Sequence, residues 1–208
     1  MRAGGRADKR RAITNAARAV FSREGYARAS IDAIATEANV STRTVYNHFE
    51  GKERLFSTVL HASATEVADR FVADVERRMT GAGQKADLVA LGRALAAVRT
   101  DFPEHFAMVG RIEVESPHFP PATIEDAQRA GPLRVLGEIA RRLRQLADGG
   151  LLRIDDPSRA AVHFAALTTA GLATYYGTQA PSDEGAGEAV EAGVEAFLHG
   201  YATPARAT

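Results

Sequence analysis

Four side chains on one short segment have types and spacing suited to chemistry rather than packing: Arg43, Thr44, Tyr46 and Asn47. At 100° per residue, Val45 and Phe49 fall within about 40° of each other and define a buried side. Arg43 and Asn47 then lie close to opposite that side, with Thr44 and Tyr46 on their flanks. No carboxylate occurs from Asn39 to Phe49. Such a stripe offers a guanidinium fork, an amide that both donates and accepts, and two hydroxyls, the groups that can address base edges and phosphates in a DNA major groove. The same four residues could simply be solvated, although a solvated face usually mixes in Glu or Lys. His48 and Lys52 follow, where backbone N–H groups and the helix dipole favour a phosphate. His48 is nearly as well suited to packing against the turn.

The elements that must position this stripe are legible on both sides of it. Ile13, Ala16, Ala17, Val20 and Phe21 repeat as one helical face, and Gly25 stands where a helix end takes a left-handed residue, predicting a first helix over 8–24. The start, MRAGGRADKRRA, reads as a loose basic arm with no apolar run of a secretory signal. Ser30 can cap a second helix over 31–38, Asn39-Val40-Ser41 makes the turn, and Ser41 can cap a third helix from Thr42 to Phe49. A long fourth helix runs from the Glu50-Gly51 break to Gly81. Similar signals predict a fifth helix over 85–101, a sixth opened by Pro103, a Ser116-Pro117 to Pro120-Pro121 loop, and a seventh over 121–148. An eighth over 157–178 and a ninth over 188–200 complete an all-α chain of about nine helices.

Composition narrows the function classes. The 208 residues include no Cys, which removes thiolate nucleophiles and cysteine-based metal sites and makes a cytoplasmic chain the simplest reading. Net charge is zero, yet residues 1–54 hold eleven Lys and Arg against six Asp and Glu, leaving fifteen against twenty for the rest. A front end of +5 on a body of −5 suits a DNA-reading domain, 1–54, attached to a domain of other duties, 55–208. No HExxH, GxSxG, GxGxxG or P-loop pattern occurs and the His are scattered, so an enzyme, a metal site and a cofactor are not expected. Ala160 to Ser182 lacks charge for about a membrane span's length, but its Thr, Gln, Gly and Pro content favours burial in protein over a membrane.

Ile13, Ala16, Ala17, Phe21, Gly25, Tyr26, Ala29, Ser30, Ile31, Ile34, Ala35, Ala38, Asn39, Val40, Ser41, Thr44, Val45, Tyr46, Asn47, His48, Phe49, Lys52, Glu53, Leu55 and Phe56 together form a pattern. It resembles the N-terminal domain of the TetR/AcrR transcriptional regulators over the first quarter of the chain, with Asn39 where that family more often has Gly. The resemblance implies a homodimer, more often a repressor, that places one recognition helix per subunit in successive major grooves of a near-palindromic operator. It further implies phosphate contacts by Tyr46, His48 and Lys52 and base-proximal positions for Thr42, Arg43, Thr44 and Asn47. The caps Ser30 and Ser41 complete the DNA-facing candidates.

For the rest of the chain the resemblance is one of helix count and layout. It implies an unidentified small-molecule effector held among helices five to eight and a dimer interface of the last two long helices. The bulky candidates for an apolar effector pocket are Phe102, His105, Phe106, Val109, Phe119, His163, Phe164 and Tyr175, each also a plausible core residue. Small residues Ala161, Ala165 and Gly171 permit close helix contact, and with Thr168, Leu172, Tyr175, Val194 and Phe197 they form the candidate interface. A helix buried within one subunit would satisfy the same pattern. A DNA-binding dimer governed by a protein partner, or by no ligand, also fits these residues.

Overall fold

The computed structural model describes residues 3–115, 119–176 and 183–201. Among them are ten helices and no strand: α1 (Ala3–Glu24), α2 (Ile31–Glu37), α3 (Thr42–His48), α4 (Lys52–Arg78), α5 (Gln84–Asp101), α6 (Pro103–Glu115), α7 (Pro121–Ala130), α8 (Pro132–Asp148), α9 (Pro157–Tyr176) and α10 (Asp183–Tyr201). The all-α class is as the sequence predicts. Among these described residues no helix is long and apolar enough to cross a membrane.

Two expectations are corrected. The basic arm is not loose: α1 is helical from Ala3, where good helix formers are joined by an Asp8–Arg11 pair at 2.9 Å, one turn apart. The seventh helix is two, because Gly131-Pro132 interrupts it. Pro132 has no N–H to donate and disfavours helical backbone at the residue before it, and Gly131 duly sits at φ −118°, ψ −91°. Gly131 also runs close over α4, since a Cβ there would meet the Ala64 Cβ at 2.9 Å. The loop residues Ser116 and Pro117, and the chain from Gly177 to Ser182, lie outside the described residues.

Two compact units form, neither continuous in sequence. One comprises residues 1–67 and 102–131, the other 68–101 and 132–208. The packing unit that contains the first three helices thus also includes α6 and α7. Its core joins Ile13, Ala17, Val20 and Phe21 of α1, Ile34 and Ala35 of α2, Val45 and Phe49, and Leu55, Phe56, Val59 and Leu60 of α4 to Met108, Phe119 and Ala127. In the second unit Leu88, Leu91, Ile139, Leu143, Phe164, Val194 and Phe197 are fully buried. There α9 and α10 touch backbone to backbone: a Cβ on Gly193 would stand 2.3 Å from the Leu167 carbonyl oxygen.

Candidate nucleic-acid interface

The reading helix is fixed at both ends by local chemistry. Ser30 accepts a hydrogen bond from Ala33 N at 3.1 Å and so caps α2. At the far end Asn39 adopts φ +52°, the left-handed conformation that Asn tolerates. Its N–H donates to the Thr36 carbonyl at 3.1 Å, and that of Val40 donates to Ala35 at 2.9 Å, the paired bonds of a Schellman ending. Ser41 then caps α3 by accepting from Thr44 N at 3.1 Å, and its hydroxyl lies 2.8 Å from that of Thr44. Both serines therefore satisfy helix ends before they could meet any ligand.

On α3, Val45 is fully buried and Phe49 nearly so, while Arg43, Tyr46 and Asn47 are exposed, Tyr46 by 55%. Arg43, Tyr46 and Asn47 face outward as the wheel put them, and Thr44 only in part. Thr42 and Thr44 are half-buried, and the Thr42 hydroxyl donates to Asp32 Oδ1 at 3.1 Å. This carboxylate was missed from sequence because it lies ten residues away, on the first turn of α2, which the fold brings beside the first turn of α3. Arg43 has no carboxylate partner among the described residues.

Lys52 has an occupation the sequence did not suggest. Its ammonium donates to the carbonyls of Tyr26 and Ala29, each at 3.0 Å, approaches that of Ala27 at 3.5 Å, and sits 4.5 Å from the centre of the Tyr26 ring. Its donors are turned onto the loop between α1 and α2. The Tyr26 phenol is raised above its ordinary pKa by burial and then by nearby Glu53. Tyr26 also packs on Phe56 and on Phe119, at ring separations of 5.1 and 4.7 Å.

His48 is half-buried, and its pKa is lowered by burial first and then by Arg6, Arg10 and Lys9. Arg10 donates to the His48 carbonyl at 3.1 Å and lies over the Phe49 ring at 4.5 Å. Basic residues of α1 therefore gather at the C-terminal end of α3.

The residues suggested for an effector pocket fall in both units: Phe102, His105, Phe106, Val109 and Phe119 in the first, and His163, Phe164 and Tyr175 in the second. Phe119 belongs to the core around α3, stacked on Phe56 at 4.8 Å. His105 is buried against α4, its Nδ1 2.9 Å from Ser63 Oγ, and burial foremost lowers its pKa to about 4. Phe102 and Phe106 are half-buried and Val109 is exposed. In the second unit Phe164 meets Phe197 edge-on at 5.3 Å, and exposed His163 bonds Tyr201 at 2.6 Å. Of Gly171, Leu172 and Tyr175 only the helical backbone is among what is described. Of the suggested dimer residues, Ala161, Thr168, Val194 and Phe197 are buried within their own unit and Ala165 is half-buried. Of these, Thr168 stands against Gly193 and Phe197 meets Phe164, contacts between α9 and α10 inside one chain.

With this geometry in view, comparison with known proteins settles the family. The description "Bacterial regulatory proteins, tetR family" matches residues 13–59, and "AefR-like transcriptional repressor, C-terminal domain" matches residues 86–203. The chain belongs to the TetR family of transcriptional regulators. These are DNA-binding proteins, not enzymes. Among curated proteins no sequence matches. A solved structure described as a TetR-family transcriptional regulator from Mesorhizobium loti MAFF303099 is 29% identical, with a TM-score of 0.80 over 95% of this chain and 98% of that one. The flavonoid-responsive regulator FrrA is 27% identical, with a TM-score of 0.73 and the same coverage of both chains. A Clostridium perfringens protein described as a fatty acid metabolism regulator shares the fold at 19% identity and a TM-score of 0.68, over 93% of this chain and all of that one.

Proposed function

We propose that this TetR-family regulator binds a near-palindromic operator as a homodimer, represses transcription from it, and is released by a small apolar or amphipathic effector. The observation that carries the proposal is the outward stripe of α3, anchored by buried Val45 and Phe49 and exposing Arg43, Tyr46 and Asn47. In this reading Arg43 and Asn47, with Thr42 and Thr44 beside them, face base edges, while Tyr46 and His48 meet phosphate. Residues 1–54 read DNA, and residues 55–208 dimerise and sense.

A dimer is supported by apolar surface left on α9, where Val162 is 51% and Leu167 44% exposed on either side of exposed Ala166. These residues replace the buried positions first suggested by sequence. Effector chemistry is supported by the name of FrrA, which answers to flavonoids. Phe102, just before α6, and Phe106 and Val109 on it, which keep exposed or half-buried surface, are the residues we assign to it. The helix α4 runs through both units in sequence, so a shift along it would alter the separation of two recognition helices from the roughly 34–36 Å that successive grooves demand.

The test is selection of duplexes from a random pool by the wild-type chain and by Arg43→Ala. The wild type should enrich an inverted repeat, and Arg43→Ala should lose about 1–3 kcal/mol of discrimination at one base pair of each half-site. Enrichment of no repeat, or the same repeat with equal stringency from both proteins, would refute the assignment. A flavonoid that acts as the effector should raise the melting temperature and also weaken duplex binding, because release requires that it bind the DNA-free state more tightly.

A further inference from the structure

We infer that the first two turns of α1 make a second DNA contact, a phosphate clamp in which Arg6 and Lys9 grip the duplex backbone beside the groove that α3 enters. The inference rests on the assignment of α3 as the reader.

The stripe of α1 that faces the core does not end with the core. Ile13, fully buried, is its last apolar member toward the N-terminus. On a helical wheel Arg6, Lys9 and Arg10 all lie within about 60° of the Ile13 direction, reaching about 10 Å beyond it along the axis. The face that packs against the reader therefore continues as three cations. Arg10 fixes where they stand, because its guanidinium is held on the His48 carbonyl at 3.1 Å and over Phe49 at 4.5 Å. The other two are free to act: Arg6 and Lys9 are exposed, and neither has a carboxylate partner among the described residues. The nearby acid, Asp8, is on the opposite side of the helix and is taken by Arg11. His48 feels Arg6, Arg10 and Lys9 together, which independently puts their charge at the end of α3.

Three like charges at helical spacing repel one another in the free protein. A polyanion relieves that repulsion, and the helix alongside is the one that meets DNA. Arg10 acts as the brace, and Arg6 and Lys9 make the contacts.

The experiment measures binding to a mixed-sequence duplex against salt for the wild type, for Arg6→Gln/Lys9→Gln, and for Arg11→Gln as the control from the opposite face. Gln keeps helix propensity, and circular dichroism checks the fold. Loss of two phosphate contacts per subunit should flatten the slope of log K against log salt by about 1.8 per subunit. The advantage of the wild type should then shrink about twelvefold per subunit between about 50 and about 200 mM salt, with the selected sequence unchanged. Arg11→Gln should keep the wild-type slope. A double variant that shares the wild-type slope while the wild type still selects its repeat overturns this inference alone. A wild type that binds no duplex overturns the reader assignment as well.

Discussion

Replacing Lys52 by Met should damage stability far more than it damages phosphate attraction. The side chain keeps its unbranched apolar stem and loses its donors and its charge. Two 3.0 Å bonds to the carbonyls of Tyr26 and Ala29 disappear, together with the contact over the Tyr26 ring. Hydrogen bonds from a charged donor contribute about 1.5–3 kcal/mol each, and an exposed cation–ring contact about 0.5–1. Freeing the lysine returns up to about 2 kcal/mol of side-chain entropy, and a half-exposed loop lets water recover part of the carbonyl bonding. The net cost is about 2–3 kcal/mol. For a chain of this size that corresponds to a melting point lower by roughly 4–12 °C. Calorimetry reads that drop, and duplex binding at several salt concentrations reads the other half. Because the ammonium already serves three carbonyls, the salt slope should change by less than about half of the ~0.9 that one lost phosphate contact produces. A slope flattened by the full ~0.9 with the melting point unmoved would show that Lys52 belongs to the duplex and not to the loop.

Three other perturbations have outcomes set by single sites. His105 has a folded pKa of about 4, below the ordinary 6.5, so the unfolded chain binds more protons in between. Stability from this group is full above about pH 6.5 and fades as pH falls toward 4, by up to about 3 kcal/mol, and His105→Gln should flatten that part of a melting-temperature profile. Phe119→Ala removes a ring stacked on Phe56 and tilted against Tyr26 and should cost about 3–5 kcal/mol in denaturant titration; a cost below about 1 kcal/mol would mean the ring is dispensable to that core. Gly193→Ala would push a methyl into the Leu167 backbone, which cannot swing aside as a side chain could. It should destabilise by about 1–3 kcal/mol or more, and an unchanged melting curve would contradict the close α9–α10 contact.

The parts of the fold that were legible are those decided by neighbours within about one helical turn. Ser30 and Ser41 are caps because a hydroxyl at the N-cap reaches the N–H three residues on, and both do so. Asn39 could be placed in the turn because few residues accept a positive φ. The break at Gly131-Pro132 was equally local but was read through, since buried Thr123 and Ala127 before it and Val135 and Ile139 after it keep one four-residue spacing across the interruption. The start of α1 was misread for the converse reason: a polar, glycine-containing start has no apolar period to announce a helix, although Arg, Ala and Lys favour one.

The candidate site divides along the same line. The face of α3 was readable because one buried pair, Val45 and Phe49, orients the whole helix and so decides which residues look outward. A pocket or an interface has no such local rule. Phe119 and Phe164 look alike in sequence, yet one completes the core beneath the reader and the other closes the α9–α10 contact, because each ring's partners lie on helices far away in the chain. Lys52 and Asp32 make the same point for charge. A lysine after a recognition helix fits a phosphate contact and a loop staple equally well, and only the position of the Tyr26 carbonyl, twenty-six residues back, favours the second. Arg6 and Lys9 differ in that no carboxylate pairs with them among the described residues, so their exposed charge is itself the observation behind the clamp. The DNA-binding role was therefore visible early, while the residues that hold the reader in shape became visible only once distant parts of the chain had been brought together.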